Sequence, residues 1–171
     1  MPTLDLTDEE HAALSDFLRV GIAAARGIAL AAAKPAIGLS TLAAFAAPFI
    51  AADDTLPVVV AINARHDHVY LHVFGPGGRT LVAPRLVPLR EALRVSTTGA
   101  PRITGTAANM LAVLWPAGER VPTSVEQRNA PNIDWVARLG AAATDTGVPP
   151  KPLYLRAPDA QPQEAAQLAR R

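Results

Sequence analysis

The sequence predicts an α/β fold, and three stretches carry that prediction. Val58-Val59-Val60-Ala61-Ile62 and Val69-Tyr70-Leu71-His72-Val73-Phe74 are apolar, β-branched runs of strand length separated by a polar break. Ile133, Val136, Leu139 and Ala143 recur at the helical period behind Asn132. Ahead of them a helix, a short apolar run and a second helix follow in turn, the alternation from which α/β sheets are built.

Taken in order, Thr7 and Glu10 form a capping box, and Asp8, Glu9 and Glu10 stand where a helix dipole favours negative charge. Nothing stops the helix before Lys34-Pro35, although Gly21 and Gly27 each weaken it by roughly 1 kcal/mol. The glycines lie among Ala24, Ala25 and Ala29 and leave a smooth flank. That flank suits either internal packing or a protein–protein face. Ala36 to Leu39 is expected as a short buried strand, with Ser40 or Thr41 capping a helix that Pro48 limits to about Ala47. Residues 51–56 read as a linker.

Arg65-His66-Asp67 should turn a hairpin between the two β-branched runs, and Gly75-Pro76-Gly77-Gly78 a second turn into a strand around Thr80 to Ala83. A short helix over Pro88 to Leu93 and a brief strand, Arg102-Ile103-Thr104, follow. Gly105 turns the chain and Thr106 caps a helix to about Leu114. Residues 122–131 read as loop, Asn132 as a cap, Leu153-Tyr154-Leu155 as a last strand behind a proline-rich approach, and the tail from Pro158 as frayed.

The chain has 171 residues, half of them apolar, enough for a sizeable core. Only 5% are aromatic, so close packing of small residues is expected. A net charge of +1 does not mark a nucleic-acid binder, but the charge is uneven. Five acids stand against Arg19 in residues 1–19, and six arginines against Asp67 and Glu91 in residues 60–102. The second cluster is either a weak electropositive face or a solvated surface. The absence of cysteine excludes disulfides, thiolate zinc sites and cysteine nucleophiles. With no basic leader and an apolar run from Val20 interrupted by Arg26, neither a secretory signal nor a membrane span is expected, and a cytoplasmic protein is.

The search for chemistry comes back nearly empty. His66, His68 and His72 alternate as strand ligands would, but a turn at His66 removes it from the shared face. Gly38-Leu39-Ser40 lacks the second glycine of a nucleophile elbow. Asp53 and Asp54 are sequence neighbours, which do not normally converge on one substrate atom. Thr104-Gly105-Thr106-Ala107 is the one strand–turn–helix junction whose backbone donors an anion could use, though a plain turn and cap explains it. No catalytic, cofactor-binding or metal-binding residue is assigned.

Several segments resemble the TsaB branch of the glycoprotease-like family. Leu18-Arg19-Val20-Gly21-Ile22-Ala23-Ala24-Ala25-Arg26-Gly27-Ile28-Ala29 is similar to its L-R-x-G-x-A-x-A-K/R-G-x-A helix. Pro35 to Ala44 resembles P-x-x-G-V-S-T-L-E-A, and Ala61-Ile62-Asn63-Ala64-Arg65 with Val69-Tyr70 resembles A-I-D-A-R and V-Y, Asn63 replacing the usual aspartate. Pro152-Leu153-Tyr154-Leu155-Arg156 matches the P-x-Y-L-R ending. These matches run in order over about residues 18–158.

The resemblance implies an actin/Hsp70-type (RNase-H-like) fold with a truncated first lobe and a largely complete second one. Residues 1–17 would be an acidic leader foreign to the family, 18–52 a first-lobe remnant, 53–150 the second lobe, and 151–171 the closing strand and tail. It also implies a non-catalytic scaffold in tRNA threonylcarbamoyladenosine modification. Such a scaffold pairs through this helix with a TsaD-like catalytic subunit or with a second copy, and meets tRNA only through the complex. On that reading Val20, Gly21, Ala24, Ala25 and Ile28 form the partner interface and no cofactor is needed. The alternatives are a nucleotide-binding or glycoprotease-like enzyme of the same family, or a defective remnant.

Overall fold

The computed structural model describes residues 8–64 and 66–155, with side chains from residue 18 onward. Thr7 of the expected capping box, Arg65, Arg156 and the tail from Pro158 lie outside the described residues. The architecture is a mixed five-stranded sheet in the order β3-β2-β1-β4-β5, with helices on both faces. The strands are β1 (Val58–Asn63), β2 (His68–Phe74), β3 (Thr80–Pro88), β4 (Arg102–Gly105) and β5 (Ser124–Gln127). β1, β2 and β3 pair antiparallel, while β4 and β5 continue parallel to β1. This order and these senses are those of an RNase-H-like lobe, the fold class expected.

The period-2 pattern sorts the sheet's side chains onto two cores. Val59, Ala61, Val69, Leu71, Val73 and Ile103 point to one face, where α3 (Leu89–Ser96) and α4 (Ala108–Val113) cover them with Ala92, Ala108 and Leu111. Val58, Val60 and Phe74 point to the other, against Leu42, Phe45, Ala46 and Phe49 of α2 (Thr41–Ala52). α5 (Ile133–Ala142) packs outside α2, its start capped by the Asn132 side chain, which accepts from the Asp134 N–H at 2.8 Å.

The hairpin between β1 and β2 forms where expected, with Val60 opposite His72. Its turn holds His66 (φ 47°) and Asp67 (φ 56°) in the left-handed region. The glycine turn also forms, and the Gly77 N–H ties it to the Asp54 carbonyl at 2.7 Å.

Several expectations are corrected. α2 does not stop at Ala47 but carries Pro48 inside it and runs to Ala52. A proline inside a helix costs about 3 kcal/mol, whereas burying Phe45 and Phe49 contributes about 2 kcal/mol each, so packing prevails. Residues 36–39 form no strand; they are a partly exposed connector leading into α2. Leu153-Tyr154-Leu155 is likewise not a strand. Its local β-propensity is real, but both sheet edges, β3 and β5, lie elsewhere, and Leu155 instead packs against the α2-side core. The supposed loop at residues 122–131 contains β5, placed by parallel pairing to β4. Ser40 does precede α2, but its hydroxyl makes no capping bond. β3 is longer than expected and accommodates Pro84 and Pro88 because it is an edge strand.

Arg102 is no part of a surface cluster. It is 7% exposed, and its guanidinium donates to the carbonyls of Phe49 (2.6 Å), Asp53 and Leu56 (3.3 Å) where α2 ends. Among the described residues no helix is long and apolar enough to cross a membrane.

Candidate protein–protein interface

Among the described residues the N-terminal helix α1 (Asp8–Ala31) has almost nothing against it. Of its described side chains only Ile22 and Ala29 are even half-buried, and they lie on one line of the helix. At about 100° per residue, Val20, Gly21, Ala24, Ala25 and Ile28 fall within roughly 140° of arc that adjoins that line at Ala25 and ends opposite it at Val20. The sequence-derived candidates therefore do share one face. Val20 is 65% and Ile28 71% exposed. A methyl group built on Gly21 or Gly27 would meet nothing within 4 Å. No element of the described residues uses the space the two glycines leave.

The helix ends in a Schellman motif. The Lys34 N–H donates to the Ala29 carbonyl at 2.9 Å and the Ala33 N–H to Leu30 at 3.1 Å, with Ala33 left-handed at φ 52°. Pro35 then blocks continuation.

The other candidate chemistry does not assemble. His66 is exposed in the turn, and His68 Nδ1 donates to the His66 carbonyl at 2.6 Å. His72 shares a sheet face with His68, but four residues of strand separate them by about 13 Å. Among the described residues no group of three potential ligands could hold a metal ion. At the Thr104–Ala107 junction the Ala107 N–H is already engaged, donating to the Ala61 carbonyl at 3.0 Å, while the buried Thr104 hydroxyl has no hydrogen-bond partner. The Thr106 hydroxyl, expected as a helix cap, accepts from the Asn63 N–H at 2.9 Å instead. α4 behind it is only six residues long. Asp53 caps its own turn, accepting from the Thr55 N–H (2.9 Å) and hydroxyl (2.6 Å), which holds its carboxyl below the usual range with help from Arg102.

His72 is 6% exposed, its Nε2 lying 3.2 Å from the Thr80 hydroxyl, and burial holds its imidazole below the usual histidine pKa. Above about pH 6.5 the folded and unfolded chains both carry it neutral, so it does not bias folding. As pH falls below that value the unfolded chain takes up a proton that the folded chain resists, and stability falls. Urea midpoints at pH 5.5 and 7.5 should therefore differ less in His72→Gln than in the parent chain. Equal differences in both would show the imidazole to be unimportant.

A model of the TsaD family, described as tRNA N6-adenosine threonylcarbamoyltransferase, matches residues 17–160. No curated protein matches. Among solved structures, the chain is similar to a crystal structure described as an uncharacterized protein with similarity to peptidase YeaZ from Pseudomonas aeruginosa. The two are 22% identical, with a TM-score of 0.58, over 81% of this chain and 67% of that one. A structure of YeaZ from Pseudomonas aeruginosa is 21% identical, with a TM-score of 0.54, over 72% of this chain and 58% of that one. The chain thus spans about two thirds or less of these neighbours' length, and the likeness carries the fold.

Proposed function

The chain belongs to the TsaD family of tRNA N6-adenosine threonylcarbamoyltransferases, and from that premise we propose that it is a TsaB-like, non-catalytic assembly subunit of tRNA threonylcarbamoyladenosine modification in the cytoplasm. It pairs through α1 with a TsaD-like catalytic subunit, and meets tRNA through that complex. The observation that supports this most is the uncovered small-residue face of α1. Gly21 and Gly27 cost helix stability by roughly 1 kcal/mol each, and no side chain of the described fold occupies the room they leave. A partner backbone approaching closely would use it.

The test is a pull-down with a TsaD-like subunit. Because open space surrounds Gly21, Gly21→Leu leaves the chain's own fold undisturbed and should strengthen the helix, yet it should weaken partner binding at least about tenfold, roughly 1.4 kcal/mol. Ala25→Leu should act likewise. Undiminished binding by both variants sinks the proposal. Size-exclusion chromatography of the chain alone distinguishes a homodimer on the same face, which Gly21→Leu would also disrupt.

The family's name is that of a transferase, which keeps a second reading in play: a nucleotide-binding enzyme. The Ala107 N–H, taken by the Ala61 carbonyl, and the six-residue length of α4 speak against it, and calorimetric titration with ATP and magnesium is expected to be silent. Heat evolution that saturates would favour the enzyme.

A further inference from the structure

We infer that the segment from Pro149 to Leu155 is a strap that fixes the angle at which α1 stands off the lobe, with Tyr154 as its positioning residue. α1 is about 36 Å long at 1.5 Å per residue, and the chain leaves its C-terminal end through the coil of residues 34–40. A lever of that length on an irregular connector swings widely unless something else holds it.

Successive residues of an extended chain point to opposite sides, and the strap uses this. Leu155 packs into the α2-side core beside the Leu42 and Phe45 cluster. Tyr154 points away from that core: its hydroxyl accepts a hydrogen bond from Arg19 Nε at 3.0 Å, and the Arg19 guanidinium lies 5.9 Å from its ring centroid. One residue is thus fastened to the lobe and the next to the helix. Further along, Pro150 lies 3.1 Å from where a methyl on Gly38 would sit, which seats the strap on the connector itself. Pro149, Pro150 and Pro152 restrict the backbone between these contacts. A cleft of about 550 Å³ between residues 23–30 of α1 and residues 145–150 leaves this half of the helix unpacked between the Arg19 contact at its middle and the connector at its C-terminal end.

The inference deepens the docking proposal, since α1 is the surface being aimed. Its readout involves no partner, so either can fail alone. The chain has no cysteine, so two introduced ones can be spin-labelled uniquely. With Ala25→Cys on α1 and Arg90→Cys on α3, pulsed electron paramagnetic resonance should give one narrow distance distribution. Tyr154→Ala should at least double its width. Tyr154→Phe, which keeps the ring but loses the hydroxyl, should fall between, and Leu155→Ala should resemble Tyr154→Ala. A control pair within the lobe, Arg90→Cys with Asn129→Cys, should stay narrow throughout. An unchanged α1 distribution in Tyr154→Ala overturns the strap, as does broadening of the control pair, which would mean general loosening.

Discussion

Gly105→Ala should lower the stability of the chain by about 3 kcal/mol, one of the two largest losses expected from a single substitution here. Gly105 closes β4 with φ at +109°, a conformation L side chains rarely adopt. A methyl group there would lie 2.2 Å from the carbonyl oxygen and 2.9 Å from the carbonyl carbon of Ala61. Both are backbone atoms of a central strand, so neither can move without disturbing the β1–β4 pairing. The same carbonyl accepts the Ala107 N–H that starts α4, so strand, turn and helix are displaced together. Gly77→Ala is the matched control: its φ is +68°, but open space surrounds it, so only the backbone term of about 1 kcal/mol applies. Urea unfolding of both variants should separate them, and equal losses would mean that the close approach to Ala61 carries no weight.

Arg102→Met should cost about as much, roughly 3 kcal/mol. Replacing a buried charge by an apolar side chain can be neutral when its partner leaves with it. Here the partners are backbone carbonyls of Phe49, Asp53 and Leu56, which stay behind without the guanidinium, Phe49 keeping only the Asp53 N–H. They lie at the negative end of the α2 dipole, where a cation is favoured. Methionine keeps the aliphatic stem, so the loss isolates the guanidinium. Arg102→Lys should recover only part of it, because one ammonium cannot span three acceptors as a fork does. If Arg102→Met unfolds at the same urea concentration as the parent chain, these bonds contribute nothing net.

Much of this fold was readable in advance where residues announce themselves locally. The hairpin strands are β-branched runs bounded by turn residues, and Asn132 caps its helix as its position suggested. What escaped depends on partners distant in sequence. Ser124–Gln127 carries a single apolar side chain, Val125, and becomes a strand only because β4 lies beside it. Leu153–Leu155 has the reverse character, strand-like in composition but with no sheet edge to join. Arg102 looked like one arginine among six, and only the parallel register of β1 and β4 sets it beneath the end of α2. The α1 face was legible from helical spacing, whereas its lack of a covering element among the described residues was not, since periodicity marks an apolar side without saying what meets it.

The seating of α2 has a practical consequence for anyone dividing this chain. By sequence position α2 belongs with the helix before it, but by packing it belongs with the sheet, because Phe45 and Phe49 complete the core under Val58 and Val60 and Arg102 holds its end. Cutting at residues 52–53, where composition changes, would strip a β-sheet of its hydrophobic cover and invite aggregation. A cut in residues 34–40 would free α1 while leaving both cores whole. The seam that matters to a protease or to recombination thus lies a dozen or so residues upstream of the one that the alternation of helix and strand suggests.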